Sequence, residues 1–398
     1  MNALPYLARS LELFVGAGGL ALGAARAGFE HVAALDWDEN ACHTLRRNKA
    51  AGVDHVRCWE IIEVDVREHD FTQYGGSVDV VFGGPPCQPF SIGGKHRGHE
   101  DERNMFPQAV RAIKDIRPKA FVFENVKGLL RASFAEYYDY IIHQLCLPGV
   151  PRRDDEEWPD HHSRLERILS SGNHPRLRYN VVHDCCNAAD FGVPQRRERV
   201  FVVGIRADLG AEFSFPHGTH TRDGLLRDKW VTGEYWERHR IAKSERPERP
   251  KRLGPRIERL ATGEGGELGQ PWRTVRDAIA DLPRIEVGQT SPEMPNHFLN
   301  PGARIYPGHD GSALDEPAKT LKAGDHGVPG GENILRLEDG TVRYFSVREC
   351  ARLQTFPDDW VFEGAWTDAM RQLGNAVPVD LATAIARQLA RALGLTGH

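Results

Sequence analysis

The sequence predicts an α/β protein built on a mostly parallel sheet with helices on both faces, with a smaller, irregular second domain. Two observations lead there. From residue 11 to residue 205, short β-branched runs alternate with helix-periodic segments, the order that a parallel sheet with crossover helices requires. Beyond about Asp208 the pattern gives way to Arg, Pro and Gly with scattered tryptophans.

Leu11 to Val15 reads as the first strand and Gly19 to Gly28 as a helix stopped by glycine. His31 to Leu35 is the next strand, followed by a helix from Glu39 to Asn48. Strands continue at Ile61 to Val66, Val78 to Phe82 and Ala120 to Phe123, with a helix over Met105 to Asp115. Leu147 to Pro175 is polar and Pro-rich and reads as a surface insertion, with His161-His162 in a polar surface loop. Strand character returns at Tyr179 to His183 and Arg199 to Ile205. In Val379 to Leu393 the four-residue spacing of Leu381, Ile385, Leu389 and Leu393 predicts an amphipathic helix. The first domain is therefore expected over 1–207, completed by 367–398, and the second, with a hinge, over 208–366.

The 398 residues are 40% hydrophobic and 27% charged, an ordinary globular balance for two domains. No apolar run is long enough to span a bilayer, and Met1-Asn2-Ala3-Leu4-Pro5 lacks a signal-peptide pattern. Seven cysteines without a C-x-x-C predict neither disulfides nor a zinc site, and a reducing cytoplasm suits them. No metal and no membrane partner are expected. The net charge of −5 is segregated: residues 194–260 hold 16 Lys and Arg against 10 Asp and Glu, suggesting one basic face.

Two loops carry chemistry. Phe14-Val15-Gly16-Ala17-Gly18-Gly19-Leu20 links the first strand to the first helix, where glycines let a ligand approach the backbone. Asp36, ending the second strand, is placed to accept from ribose hydroxyls, and Trp37 either stacks on an adenine or closes the core edge. The spacing G-x-G-G does not specify a dinucleotide. The second loop is Gly84-Pro85-Pro86-Cys87-Gln88, where two fixed φ angles present one thiol from a stiff turn at a strand end.

Together these segments resemble the cytosine-5 DNA methyltransferase family, bacterial type. The first loop is similar to its S-adenosylmethionine motif, with Glu12 where Asp is more usual. Pro85-Pro86-Cys87-Gln88 matches the catalytic motif, Phe123-Glu124-Asn125-Val126 the Glu-Asn-Val motif and Gln195-Arg196-Arg197-Glu198-Arg199 the Gln-x-Arg-x-Arg motif. Ser346-Val347-Arg348-Glu349 with Arg352 to Pro357, and Gly374-Asn375-Ala376-Val377-Pro378, complete the order.

The resemblance implies a Rossmann-like catalytic domain, a target-recognition domain and transfer of a methyl group from S-adenosylmethionine to a flipped cytosine in duplex DNA. Cys87 is the implied nucleophile and Glu124 the acid, a role that apolar neighbours would assist by favouring its protonated form. Arg197 and Arg199 are expected on one strand face beside them, leaving Arg196 and Glu198 as a surface ion pair. The donor site would comprise Phe14, Gly16, Gly18, Gly19, Leu20, Asp36, Trp37, Asp65, Val66, Pro86, Asn375 and Val377. Ser91, Lys95, Arg97 and Gln195 are candidate DNA contacts, Ser91 to Arg103 a mobile closing loop, and Ala318 to Gly324 and Gly327 to Gly331 candidate DNA-facing loops. A companion restriction endonuclease, a monomeric state and a bacterial, nucleoid-associated cytoplasmic location go with that reading. An RNA-directed relative is the alternative within the class. A nicotinamide-dependent oxidoreductase and a catalytically silent DNA binder are the alternatives outside it.

Overall fold

The computed structural model describes residues 8–86, 104–172, 174–264, 268–305, 310–323 and 333–395. The chain divides into two units, the first comprising Met1–Cys186, Glu198–Pro216 and Ala382–His398, the second Asn187–Arg197 and His217–Leu381. The second unit thus takes 187–197 and 367–381, both expected in the first domain.

In the first unit, chain order is β1 (Ala8–Leu13), α1 (Gly19–Arg26), β2 (Phe29–Asp36), α2 (Glu39–Ala50), β3 (Glu60–Glu63), β4 (Val80–Gly83), α3 (Phe106–Ile116), β5 (Ala120–Val126), α4 (Ala135–Cys146), α5 (Trp158–Ser170), β6 (Tyr179–Asn187) and β7 (Glu198–Arg206). The sheet runs β3-β2-β1-β4-β5-β7-β6. β3, β2, β1, β4 and β5 pair parallel, and β7 is antiparallel to β5. Strand order reverses between β1 and β4, so the carboxyl ends of those strands form the crevice in which open α/β sheets bind ligands.

Alternation sorts the sheet's side chains. Leu11, Leu13, Val81, Phe121, Phe123, Val200 and Val202 bury one face under Phe106, Ile113, Ile116, Tyr138 and Ile141 of α3 and α4. Ala33 and Leu35 of β2 join that core. His31 has the same parity but faces the other way, because the β1–β2 register jumps between Ser10/His31 and Leu11/Ala33. One extra residue in β2 thereby reverses the pleat. His31 Nδ1 then meets Ser10 Oγ at 2.8 Å and its Nε2 meets Glu12 Oε2 at 2.9 Å, all three fully buried. The imidazole stacks between Trp59 and Phe82. Burial pushes the Glu12 carboxyl well up and the His31 imidazole down to about 3, so both groups are driven towards their neutral forms. The Glu12 carboxyl also accepts from Ala21 N–H in the first turn of α1, tying that helix to β1.

The 147–175 stretch is built structure, unlike the surface insertion expected. Pro159 in its first turn suits the start of α5, whose Leu165 packs against Tyr140 and Leu147. His161 is fully buried, bonded to Tyr140 Oη (2.9 Å) and Val150 O (3.0 Å), and His162 is also buried. The polar residues that suggested a loop are the outer face of an amphipathic helix.

The second unit is less regular. It holds β8 (His220–Thr221), α6 (Arg222–Arg227), α7 (Glu234–Arg238), α8 (Gly254–Ala261), β9 (Gln270–Pro271), α9 (Val275–Ile279), β10 (Ser312–Ala313), β11 (Ile334–Arg336), β12 (Val342–Tyr344), α10 (Val347–Leu353) and α11 (Trp366–Asn375). The terminal α12 (Val379–Ala392) follows, with Leu381, Ile385 and Leu389 buried as the spacing predicts. The scattered tryptophans are a core: Trp236 packs with Leu225 and Tyr235 under Trp230 and Trp272. Several of the counted cations are paired locally: Arg238–Asp228, Arg256–Asp223 and Arg249–Glu258 join residues of the 194–260 stretch, and Lys229–Glu316 draws on a carboxylate outside it. Among the described residues no helix is long and apolar enough to cross a membrane, and the six described cysteines are free thiols.

The neutral Glu12–His31 pair makes a direct prediction. Glu12→Gln can still donate to His31 and accept from Ala21, so it should lose less than about 1 kcal/mol in urea unfolding. Glu12→Ala strands both buried partners and should lose about 2–3 kcal/mol.

Candidate active site

The predicted donor residues gather at the carboxyl ends of β1, β2 and β3. After β1, Phe14 takes a φ of 57°, and Gly16 (53°) and Gly18 (86°) take left-handed conformations that favour glycine. A Cβ on Gly16 would meet nothing within 4 Å, so the space beside the loop is open. Gly18 caps α1 without a side-chain acceptor of its own, while the Ala21 N–H of the first turn is taken by Glu12. Asp36, at the end of β2, braces the loop: its Oδ2 accepts from Gly16 N (2.7 Å) and its Oδ1 from Asp38 N (2.9 Å). Burial raises its pKa against the pull of those bonds, and each oxygen keeps lone-pair capacity for a hydroxyl donor. Trp37 is 72% exposed, which favours the stacking role over the core-edge one. The Asp65 carboxylate is held by Arg67, whose Nε donates to both oxygens (3.0 and 2.9 Å) and lowers its pKa. Leu20 and Val66 are buried.

At the end of β4 lies the turn Gly84-Pro85-Pro86; Cys87, Ser91, Lys95 and Arg97 lie outside the described residues. Pro85 O accepts from Asn125 Nδ2 at 2.9 Å. A Cβ on Gly84 would sit 3.4 Å from Glu124 Oε2, so the turn backbone runs beside that carboxyl. Met105 N donates to Pro86 O at 3.0 Å, joining the described ends of the 87–103 stretch. Glu124, in β5, is buried, and Arg199 Nε on the antiparallel β7 lies 2.7 Å from its Oε1. The apolar surroundings expected for Glu124 therefore contain a cation. Burial lowers the Arg199 pKa and Glu124 opposes that shift.

Arg197 departs from expectation. β7 begins at Glu198, so Arg197 precedes the strand and falls in the second unit. There, fully buried, it donates to Leu321 O (3.0 Å) and Gly374 O (2.6 Å). Gly374 also lets the backbone of Lys322 and Ala323 pass close by, since a Cβ would lie 2.1 Å from Ala323 N. Gln195, expected to touch DNA, is also fully buried, donating to Leu353 O (3.3 Å) and accepting from Leu321 N (3.0 Å). Arg196 N donates to Ala318 O and Thr320 Oγ1 to Arg196 O, so 318–321 packs along 194–196 instead of forming an open DNA-facing loop. Residues 324 and 327–331 lie outside the described residues. Glu198 pairs with Lys127 (2.7 Å) and not with Arg196. Asn375 is exposed and Val377 buried, both in the second unit.

Sequence reading missed Asn125 as a functional residue, although it stands in the Glu-Asn-Val triplet: its amide locks the turn before Cys87. It also missed Ser10 and His31, whose signal was polarity inside a strand.

A profile of the C-5 cytosine-specific DNA methylase family matches residues 8–147 and 159–391. The chain is 32% identical over 390 residues to the Type II methyltransferase M.Eco47II of Escherichia coli, spanning 96% of this chain and 79% of that protein. It is 34% identical to M.PspPI of Psychrobacter sp. (strain TA137), at 96% and 79% coverage. To M.NgoMIV of Neisseria gonorrhoeae it is 32% identical, at 96% and 97%. Among solved structures, a chain described as a DNA modification methyltransferase encoded within an E. coli prophage shares the fold (TM-score 0.58, 20% identity, 97% and 99% coverage).

Gln195→Ala is predicted to lower the urea midpoint, because it leaves Leu321 N–H and Leu353 C=O without their buried partner, at a cost of about 1–3 kcal/mol. An unchanged midpoint would show that this amide does not hold the unit together.

Proposed function

The chain belongs to the C-5 cytosine-specific DNA methylase family, and on that premise we propose that it methylates carbon 5 of cytosine within a short duplex DNA sequence, using S-adenosylmethionine. The observation that carries the reading is the tether from Asn125 to Pro85, which sets the turn preceding Cys87 beside Glu124.

The donor loop suits S-adenosylmethionine: positive-φ glycines, open space beside Gly16, an Asp36 carboxylate with acceptor capacity left and an exposed indole at Trp37. Phe14, Gly16, Gly18, Gly19, Leu20, Asp36, Trp37, Asp65, Val66 and Pro86 would hold it. When bound, it supplies an electrophilic methyl group on a sulfonium. Cys87, as thiolate, adds to carbon 6 of the flipped base, forming a C–S bond and giving carbon 5 enamine character. Glu124 protonates or hydrogen-bonds ring nitrogen 3, which neutralises the charge that builds as the thiolate adds. Arg199 orients Glu124 through the 2.7 Å contact and is a positioning residue. Arg197, bound to the carbonyls of Leu321 and Gly374, acts as a structural tie. After transfer, loss of the carbon 5 proton to a base lets the C–S electrons return to Cys87 and the sulfur leave.

The relatives' names, all Type II methyltransferases, support a role in DNA modification; a companion endonuclease and a monomeric enzyme are proposed along with it. Ser91, Lys95 and Arg97 are proposed to close over the DNA.

Cys87→Ser should abolish methyl transfer while leaving S-adenosylmethionine affinity within about twofold. DNA bearing 5-fluorocytosine at the target should trap a covalent adduct, since fluorine cannot leave as a proton does. Absence of that adduct on a confirmed target sequence sinks the covalent route. Transfer RNA methylated faster than duplex DNA in parallel assays would shift the substrate to RNA.

A further inference from the structure

Helix α5, unforeseen in the sequence, brings a second constellation with it. His162 and Glu166 stand one turn apart on one face of α5, and His143 stands in the last turn of α4. His162 Nε2 lies 3.0 Å from His143 Nδ1 and 3.7 Å from Glu166 Oε1, and the three donor atoms lie within 4.8 Å of one another. Among the described residues no other group of three His, Cys, Asp or Glu side chains converges in this way. We propose that His143, His162 and Glu166 form a binding site for a divalent transition-metal ion, with zinc preferred, which clips α5 to α4.

The donor set selects the ion. Two imidazoles and one carboxylate suit zinc and its first-row neighbours, whereas magnesium and calcium take oxygen ligands. A tetrahedral ion with Zn–N bonds of about 2.0–2.1 Å sets its ligand nitrogens about 3.3–3.4 Å apart. The rings therefore open by a few tenths of an ångström, well within the freedom of a partly exposed pair. The His162 side chain is 10% exposed and Glu166 54%, so one side of the cluster faces solvent, offering an entry path and a water as fourth ligand. Without an ion, one ring nitrogen donates to the other. With it, both facing nitrogens present lone pairs to the metal, so each ring carries its proton on the far nitrogen.

The neighbours hold the ligands in register. His161, next in the chain, is not a candidate, because Tyr140 Oη and Val150 O occupy its two nitrogens. Those bonds fix the start of α5 against α4 and the intervening loop. The Tyr140 ring meets the His162 ring edge-on at 5.8 Å and limits its rotation. The apolar support between the two helices is small, with Tyr140, Leu147 and Leu165 its fully packed members. A metal bridge there stabilises a junction with little core of its own.

The test uses the full-length protein stripped of metal by a chelator. It is titrated with Co²⁺, followed by visible d–d absorption, then challenged with Zn²⁺, and its thermal midpoint is read with and without Zn²⁺. Expected are one equivalent of Co²⁺ displaced by Zn²⁺, a higher midpoint with Zn²⁺ and no response to Mg²⁺. His143→Gln should lose the absorption band and the midpoint shift. Glu166→Gln, at an exposed position that packing does not need, should keep the metal-free midpoint and weaken binding by about tenfold or more. No saturable band at millimolar Co²⁺ overturns the proposal. So does binding that both variants leave unchanged, which would put the ion on Cys87 or on other histidines.

Discussion

Parallel pairing of β3, β2, β1, β4 and β5 puts all their carboxyl ends on one edge of the sheet, and the chemistry of the first unit depends on that constraint. The glycine loop leaves β1, Asp36 and Trp37 leave β2, the Pro-Pro turn leaves β4, and Glu124 approaches from β5. These groups are scattered over a hundred residues of sequence and meet because each crossover returns the chain to the same starting edge. The strand-order reversal at β1 and β4 sets the donor loop and the cysteine turn on neighbouring strands.

Buried polar pairs then fix details that packing alone leaves loose. Asn125 locks the turn before Cys87, Arg199 meets Glu124, and the neutral Ser10–His31–Glu12 chain ties β1, β2 and α1 together beneath the donor loop. Each partner left alone would be costly in a low-dielectric interior, so each pair acts as a specific constraint on one geometry. In the second unit, Gln195 and Arg197 spend their polarity on backbone carbonyls and an amide. The Gln-x-Arg-x-Arg segment thus divides its labour: its first two polar members hold the second unit, and Arg199 serves the first.

Ion pairing also organises the cations of the 194–260 stretch. Arg238, Arg256, Arg249 and Lys229 each find a carboxylate within their own unit. Because Asp223, Asp228 and Glu258 are themselves part of the count, most of the local surplus survives these pairs, while Lys229 is nearly enclosed and pairs outside the stretch.

Local chemistry determined much of this protein. β-branched runs, a glycine loop, Pro-Pro before cysteine and Glu-Asn-Val after an apolar strand announced the sheet, the glycine loop beside Asp36 and the turn set beside Glu124, because each rests on backbone propensity or on residues adjacent in the chain. Tertiary structure decided what depends on distant partners. A single extra residue in β2 turned His31 to the other face, a register event invisible to alternation. The polar, Pro-rich 147–175 stretch became a packed helix because Tyr140 and Leu147 were there to cover Leu165. Arg197 and Arg199, two residues apart, took different tasks because the strand starts between them, and only the hydrogen-bond partners across the fold could show where it starts.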